Sequence, residues 1–348
     1  MKKIFITGIC GFVGSNLANY FHLLGYKVYG IDNLSRSGTK KNYQLLKKNG
    51  VVVYKLDLAK LKKFKLFKKK TSFHAFIHCA ALTSVLDGTN NNSADFLYKN
   101  NILSTLNSLK LCNLLKSKFV YISSSRVYSI SEIKKLKFKA QKNNLKLKKN
   151  KLTGITSKGI NENFSTKAPL SFYGSSKLIC ENLIQEYCKF NNIIYVINRC
   201  GLLAGSGQLY KSDQGIISFW INSWKNRRKL NYIGFGGRGA QVRDCLHPSD
   251  LGNLIKKQIN SFSKKNQKVS IYNVSGGVAS AFSLKELSLW CKKNIFSKKI
   301  GYVKTNRPFD LKWIVLDNTK VKKIFNWQLK FTKHDIFQDI NLNDNQKR

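Results

Sequence analysis

Short runs of β-branched and aromatic residues alternate with amphipathic stretches through the first two hundred positions of the chain. Lys3 to Thr7 is apolar enough for a buried strand, and Ser15 to Leu24 carries apolar residues at helical spacing before stopping at Gly25. Tyr26 to Ile31 predicts a second strand ending in Asp32, the stretch around Lys41 to Lys48 a helix, and Val51 to Leu56 a third strand ending in Asp57. Ala75 to Cys79 reads as a fourth strand running into Ala80-Ala81. A long helix from about Ala94 to Leu115 feeds a strand at Phe119 to Ser123, and a helix from Tyr173 to about Phe190 feeds one at Ile193 to Asn198. This alternation implies a parallel, doubly wound α/β sheet, because parallel neighbours can be joined only by a crossover.

Beyond Arg199 the pattern changes to glycine-rich turns, Gly201, Gly205, Gly207 and Gly234-Phe235-Gly236-Gly237, mixed with aromatic helical pieces such as Phe219-Trp220 and Trp224. A smaller α/β lobe built over the sheet is expected. No repeat or proline-rich linker divides the chain, so the two lobes should pack closely.

The 348 residues, 43% of them hydrophobic, suffice for such a two-lobed unit. No apolar run approaches the roughly 18 residues of a membrane span. The longest begins Lys2-Lys3 and continues from Ile4 to Val13. Its three glycines, and the lack of a small-residue cleavage site, favour a first strand and turn over a signal peptide, so a cytoplasmic location and no membrane contact are expected. The eight cysteines (10, 79, 112, 180, 188, 200, 245 and 291) contain no Cys-x-x-Cys pair and predict reduced core thiols. The five histidines are dispersed, and no metal site is expected.

A formal net charge of +45, from 62 Lys and Arg against 17 Asp and Glu, points by itself to an anionic partner such as nucleic acid. The lysines, however, are spread along the whole chain among many asparagines and isoleucines, the mark of an AT-rich genome. Nucleic acid is therefore not the expected partner. Only Lys134 to Lys158 is concentrated enough for a local basic surface, which should be a solvated loop.

The turn after the first strand is Gly8-Ile9-Cys10-Gly11-Phe12-Val13-Gly14. Three glycines there let the backbone turn tightly, bring peptide N–H groups against a pyrophosphate and pack the helix close to the sheet, while the helix N-terminus adds positive potential. The spacing is Gly-x-x-Gly-x-x-Gly, and its place after the first strand makes it a dinucleotide cradle. Asp32, closing the second strand, can bond the adenosine ribose hydroxyls and would repel a 2′-phosphate, so NAD is favoured over NADP despite Arg36 nearby. Asp57-Leu58 is placed to receive the adenine amino group, and the small Ala80-Ala81 would let backbone approach the cofactor. Residues 1–200 are thus expected to form an NAD-binding Rossmann domain and 201–340 a substrate lobe with segments returning to the sheet. Residues 341–348 read as a polar, frayed tail.

Tyr173-Gly174-Ser175-Ser176-Lys177 adds chemistry to the cofactor. Positions four apart share a helix face, so Lys177 can lie beside Tyr173 and favour its phenolate by charge. A phenolate can take a hydroxyl proton, which with NAD describes oxidation of an alcohol.

With these residues in view, the chain resembles the extended short-chain dehydrogenase/reductase family that modifies nucleotide sugars, from residue 1 to about 330. The matching elements are Thr7-Gly8 with Gly11 and Gly14, Asp32-Asn33-Leu34-Ser35-Arg36, Asp57-Leu58, His78-Cys79-Ala80-Ala81, Asn101, Ser123-Ser124-Ser125, Tyr173 with Lys177, and Arg243-Asp244. Within it, Asp213-Gln214-Gly215 and Gln241 to His247, together with Asp32 to Arg36, are most similar to the CDP-paratose 2-epimerase subfamily. The resemblance implies that Tyr173 is the acid/base. Lys177 would hold the nicotinamide ribose and lower the Tyr173 pKa, and Ser124 would bond the reacting oxygen. It adds Asn33 and Asn101 to the cofactor contacts, with Phe12 and Val13 from the glycine loop. It makes Arg243 and Arg307 diphosphate ligands and Asp310 a ligand of the nucleotide ribose, with Ser125, Arg126 and Gln208 as further substrate contacts. Related 4,6-dehydratases carry Asp and Glu where this chain has Ser125 and Arg126, so elimination of water would lack its carboxylate pair and epimerisation is expected. His247 and Asp250 are expected to be structural anchors.

Leu82, Ser129 and the basic segment depart from the family pattern and leave the exact sugar open. Inversion at C2 of a CDP-sugar, from CDP-paratose to CDP-tyvelose, is the reading taken forward; a UDP-sugar 4-epimerase is its neighbour, and an inactive basic scaffold binding RNA or protein is the alternative of another class. A homodimer through the helix after residue 94 and the Tyr173 helix is implied by the resemblance.

Overall fold

The computed structural model describes residues 1–62, 64–67, 72–89, 91–210, 214–261 and 271–343. The first half alternates as expected: β1 (Lys3–Thr7), α1 (Phe12–Leu23), β2 (Lys27–Asp32), α2 (Thr39–Lys48), β3 (Val52–Lys55), β4 (Ala75–His78), α3 (Asn91–Leu114) and β5 (Lys118–Ser124). There follow α4 (Ile130–Lys134), β6 (Phe138–Ala140), β7 (Leu145–Leu147), β8 (Ile155–Thr156), β9 (Gly159–Ile160), α5 (Phe172–Phe190), β10 (Tyr195–Cys200) and β11 (Leu202–Leu203). The remainder comprises α6 (Ile216–Lys225), β12 (Asn231–Ile233), β13 (Val242–Leu246), α7 (Pro248–Ser261), β14 (Ile271–Val274), β15 (Ala281–Ser283) and α8 (Leu284–Asn294). Last come β16 (Gly301–Val303), β17 (Trp313–Ile314), α9 (Thr319–Phe325) and α10 (Lys333–Asn343).

Seven parallel strands form the central sheet in the order β14-β10-β5-β4-β1-β2-β3. Its strands read as continuous apolar runs because both faces are covered. In β1, Ile4 and Ile6 pack with Leu17, Ala18 and Phe21 of α1 and Leu251, Leu254 and Ile255 of α7. Phe5, on the opposite face, packs with Leu109 and Cys112 of α3 and Ile184 of α5. The period of two thus assigns alternate residues to two cores. β14 comes from the second half of the chain and pairs with β10 at the sheet edge.

The second half builds its own sheet, in which β13 pairs in parallel with β11 and β17 and antiparallel with β15. Ile217, Trp220 and Ile221 of α6, Leu287 of α8, and Ile336 and Phe337 of α10 pack beside it. The basic segment is not a plain loop: Phe138↔Leu147 and Ile155↔Ile160 register two short hairpins. Phe138, Leu145, Leu147 and Ile155 lean on Trp313 and Leu316, which gives the alternating lysines a scaffold to project from. α10 runs to Asn343, three residues into the stretch read as a frayed tail, and 344–348 lie outside the described residues. All eight cysteines are free thiols, and all but the half-buried Cys79 are buried. No helix among the described residues is long and apolar enough to cross a membrane.

Candidate active site

The carboxyl ends of the central strands open into a cleft of ≈ 1270 Å³ that also reaches into the second lobe. On the first-lobe side, Gly8 has φ +64° and donates its N–H to Ile31, 2.8 Å away, while Gly11 N–H turns back to the Gly8 carbonyl at 3.0 Å. A Cβ on Gly14 would lie 2.1 Å from the Gly8 oxygen, and one on Gly8 would lie 2.8 Å from Ala80 Cα. The glycines and the small Ala80 are therefore parts of one close approach. α1 begins directly after Gly11 with no acidic residue in its first turn, so its positive end is left uncompensated. Gly8, Gly11, Phe12, Val13, Gly14, Ala80 and Ala81 all line the cleft.

Asp32 ties this loop to β2. Its Oδ2 accepts from Cys10 N–H at 2.9 Å and its Oδ1 from Leu34 N–H at 2.8 Å. Burial pushes its pKa above the usual carboxylate value, against the pull of those backbone donors. Asn33 caps its own turn through Ser35, and Asp57 Oδ1 accepts from Ala59 N–H at 2.9 Å. Asn101 spends its amide on the fold: its oxygen accepts from Leu82 N–H at 2.8 Å and its nitrogen donates to Ser176 Oγ at 2.9 Å. It holds the wall behind Leu82 instead of presenting a free amide to the cleft. A cradle with no room for a Cβ, an open helix N-terminus and a strand-end carboxylate together fit a dinucleotide.

Tyr173 lies in the first turn of α5, where Ser171 Oγ caps the helix by accepting from Gly174 N–H at 3.1 Å. Gly174 is required there because a Cβ would sit 2.2 Å from the Arg126 carbonyl oxygen. Tyr173 lines the cleft together with Ser124, at the end of β5. Burial raises its pKa to about 12, and the groups that draw it back are Ser124 and the Arg126 guanidinium. Lys177 follows one turn later on α5. It lines the same cleft, but its Nζ donates to the Ile122 carbonyl at 2.9 Å and lies 4.6 Å from the Tyr121 ring centroid. The Arg126 guanidinium adds a positive charge that lowers the Tyr173 pKa.

The second lobe brings Arg243, Arg307 and Asp310 into the cleft with Ser125 and Arg126. Arg243 Nη2 donates to Asp310 Oδ1 at 2.9 Å and to the Leu311 carbonyl at 2.8 Å, so the residue read as a ribose ligand is ion-paired with one read as a phosphate ligand. Arg126 Nη1 donates to the Phe309 carbonyl at 3.2 Å, and burial with the neighbouring Arg243 lowers its pKa to about 10. Gln208 donates to the Leu203 carbonyl at 2.9 Å and accepts from Ser218, so its amide is engaged within the lobe. Gln214 bonds both Arg36 and Thr83 across the cleft mouth, whereas Asp213 lies outside the described residues. His247, against Asp339 and Phe331, and Asp250, accepting from Lys330 and Phe331 N–H, are anchors as expected.

Sequence reasoning missed a buried network behind Ser124. Glu181 accepts from Ser123 Oγ at 2.5 Å and is gripped by Arg199, with Nη2 to Oε2 at 2.7 Å. Arg199 also reaches Tyr128, whose hydroxyl donates to Asn273 at 2.6 Å. The signal was present: Glu181 follows Lys177 by four and Tyr173 by eight, a charge on the buried face of a helix.

The NAD dependent epimerase/dehydratase family model matches residues 4–275. The CDP-paratose 2-epimerase of Salmonella typhi is 26% identical, over 97% of this chain and 98% of that protein. The dTDP-D-glucose 4,6-dehydratase of Dictyostelium discoideum is 28% identical, over 79% of this chain and 58% of that protein. Among solved structures, UDP-glucuronic acid 4-epimerase from Bacillus cereus, in complex with UDP-glucuronic acid and NAD, superposes with a TM-score of 0.75 at 23% identity, covering 97% of this chain and 98% of its own.

Proposed function

The chain belongs to the NAD dependent epimerase/dehydratase family, and from that premise we propose that it is a nucleotide-sugar epimerase inverting C2 of a CDP-sugar. The observation that carries the reading is the placing of Tyr173 with Ser124 in the cofactor cleft, flanked by Ser125 and Arg126 where elimination would need two carboxylates. That pattern favours epimerase over dehydratase, although a dehydratase is among the relatives.

Gly8, Gly11 and Gly14 with the α1 N-terminus hold the dinucleotide diphosphate, Asp32 its adenosine ribose, and Lys177 its nicotinamide ribose. NAD, when bound, supplies a reversible acceptor for the hydrogen of the carbinol carbon. Tyr173 takes the hydroxyl proton, and Ser124 bonds the same oxygen as it becomes a ketone. Arg126 steadies the phenolate. Arg243 and Arg307, whose planar guanidinium forks suit a diphosphate, hold the nucleotide while the sugar turns its other face. Tyr173 then returns the proton, and the centre is inverted with no net redox change.

The Salmonella relative, aligned over nearly the whole of both chains, supports the CDP-sugar. Incubation with CDP-paratose and, separately, with UDP-hexoses, followed by NMR of the products, tests the choice. Inversion at C2 of CDP-paratose is expected, and turnover only at C4 of a UDP-sugar overturns it.

A homodimer belongs to the same reading. Phe96 and Leu103 of α3, and Phe172 and Ile179 of α5, are each seven positions apart on their helices and are exposed by between 37% and 61%. Paired apolar stripes on two adjacent helices suit a four-helix interface with a second copy.

A further inference from the structure

Ser124, Ser125 and Arg126 reach the cleft from the end of β5 and the short turn that follows it, whereas Tyr173 reaches it from α5, so their alignment depends on how that turn is held to the helix. One buried ion pair holds both ends of the turn. Before it, Ser123 Oγ donates to Glu181 Oε1 on α5 at 2.5 Å. Arg199, the register partner of Ser123 on β10, grips the same carboxylate, with Nη2 to Oε2 at 2.7 Å and Nε to Oε1 at 3.1 Å. After the turn, the Tyr128 hydroxyl accepts from Arg199 Nη1 at 3.4 Å and donates to Asn273 Oδ1 at 2.6 Å, with the guanidinium 5.1 Å from the Tyr128 ring centroid.

Glu181 lies about two turns along α5 from Tyr173. The helix that presents the tyrosine therefore also carries the carboxylate to which the turn is tied. Holding two buried elements together does not require charge, because apolar side chains of like volume often stabilise a fold as well. An ion pair adds fixed direction, since carboxylate and guanidinium meet in a planar, hydrogen-bonded geometry.

Resting on the epimerase reading above, we propose that Glu181 and Arg199 are positioning residues, which set the placing of Ser124 and Arg126 against the Tyr173 hydroxyl. Neither lines the cleft, and both act through Ser123 and Tyr128. A misplacement of about 1 Å can cost on the order of a hundredfold in rate, so a turn pinned at both ends has catalytic value. Cys180 and Cys200 also act on Tyr173, but burial keeps both thiols neutral, and Lys177 is held separately by the Ile122 carbonyl. Ser124 and Arg126 are thus the groups whose pull on the phenol changes when the turn moves.

Two variants each cut one tie and leave the ion pair whole: Ser123→Ala, in which Glu181 Oε1 keeps Arg199 Nε, and Tyr128→Phe. On CDP-paratose, or on whichever nucleotide sugar the unaltered enzyme inverts, kcat should fall by about tenfold in each. KM and the NAD content of the purified protein should stay within about twofold of the unaltered enzyme. The rise of kcat with pH should move to more alkaline values, because Ser124 and Arg126 draw the Tyr173 pKa down. Ser123→Thr, which keeps the hydroxyl, should restore both kcat and the profile. A lowered melting temperature with kcat and profile unmoved in either variant, or no rescue by threonine, overturns the positioning role and leaves the epimerase reading standing. An unaltered enzyme that inverts no nucleotide sugar sinks both.

Discussion

Tyr173 can act as a base only as its phenolate, and burial opposes that form. Its pKa stands at about 12, with Ser124 and Arg126 working in the helpful direction. The sign of a pH experiment follows. Removing the guanidinium in Arg126→Met raises the Tyr173 pKa further, so the rise of kcat with pH should shift to more alkaline values, and activity at neutral pH should fall. A pH–rate profile checks this; an unmoved profile would mean that Arg126 does not act on the tyrosine. Tyr173 and the glycines were legible in the chain because type and spacing carry their chemistry, and Ser124 only through the family resemblance. The direction of the Lys177 ammonium was not, because helical spacing puts two residues on one face without saying which carbonyl or ring the longer side chain will reach.

At the scale of elements, β1, the glycine turn and α1 form one unit whose tolerance is set by backbone approach. Gly14→Ala adds a Cβ 2.1 Å from the Gly8 oxygen. Such overpacking costs about 1–3 kcal/mol, and the displaced turn should leave the protein purifying with little NAD. Absorbance of the cofactor released on denaturation measures it. The Glu181–Arg199 pair joins α5 to β10 behind the reacting residues, with side chains exposed by only 1% and 6%. Glu181→Gln strands a buried guanidinium, and urea unfolding should show a loss of about 3–5 kcal/mol, well beyond that of the Glu181→Met, Arg199→Met double variant. The parallel strands could be read from their apolar runs. The hairpins β6–β7 and β8–β9 could not, since their short strands depend on Trp313 and Leu316, more than 150 residues further on.

For the whole molecule, the two lobes meet around one cleft, with the glycine loop on one side and the arginines on the other. A charge of +45 per chain sets a long-range repulsion against the proposed pairing through α3 and α5. Association should therefore strengthen as salt screens it, and Ile179→Glu should leave a monomer at all ionic strengths. Sedimentation equilibrium over a salt series decides this, and a monomer throughout for the unaltered chain would rule the dimer out. In the proposed reaction the inverted carbon receives back the hydrogen it gave up. The reaction run on CDP-paratose in D2O, with the product examined by NMR, tests this directly: the C2 epimer should retain protium at C2, and deuterium there would contradict it.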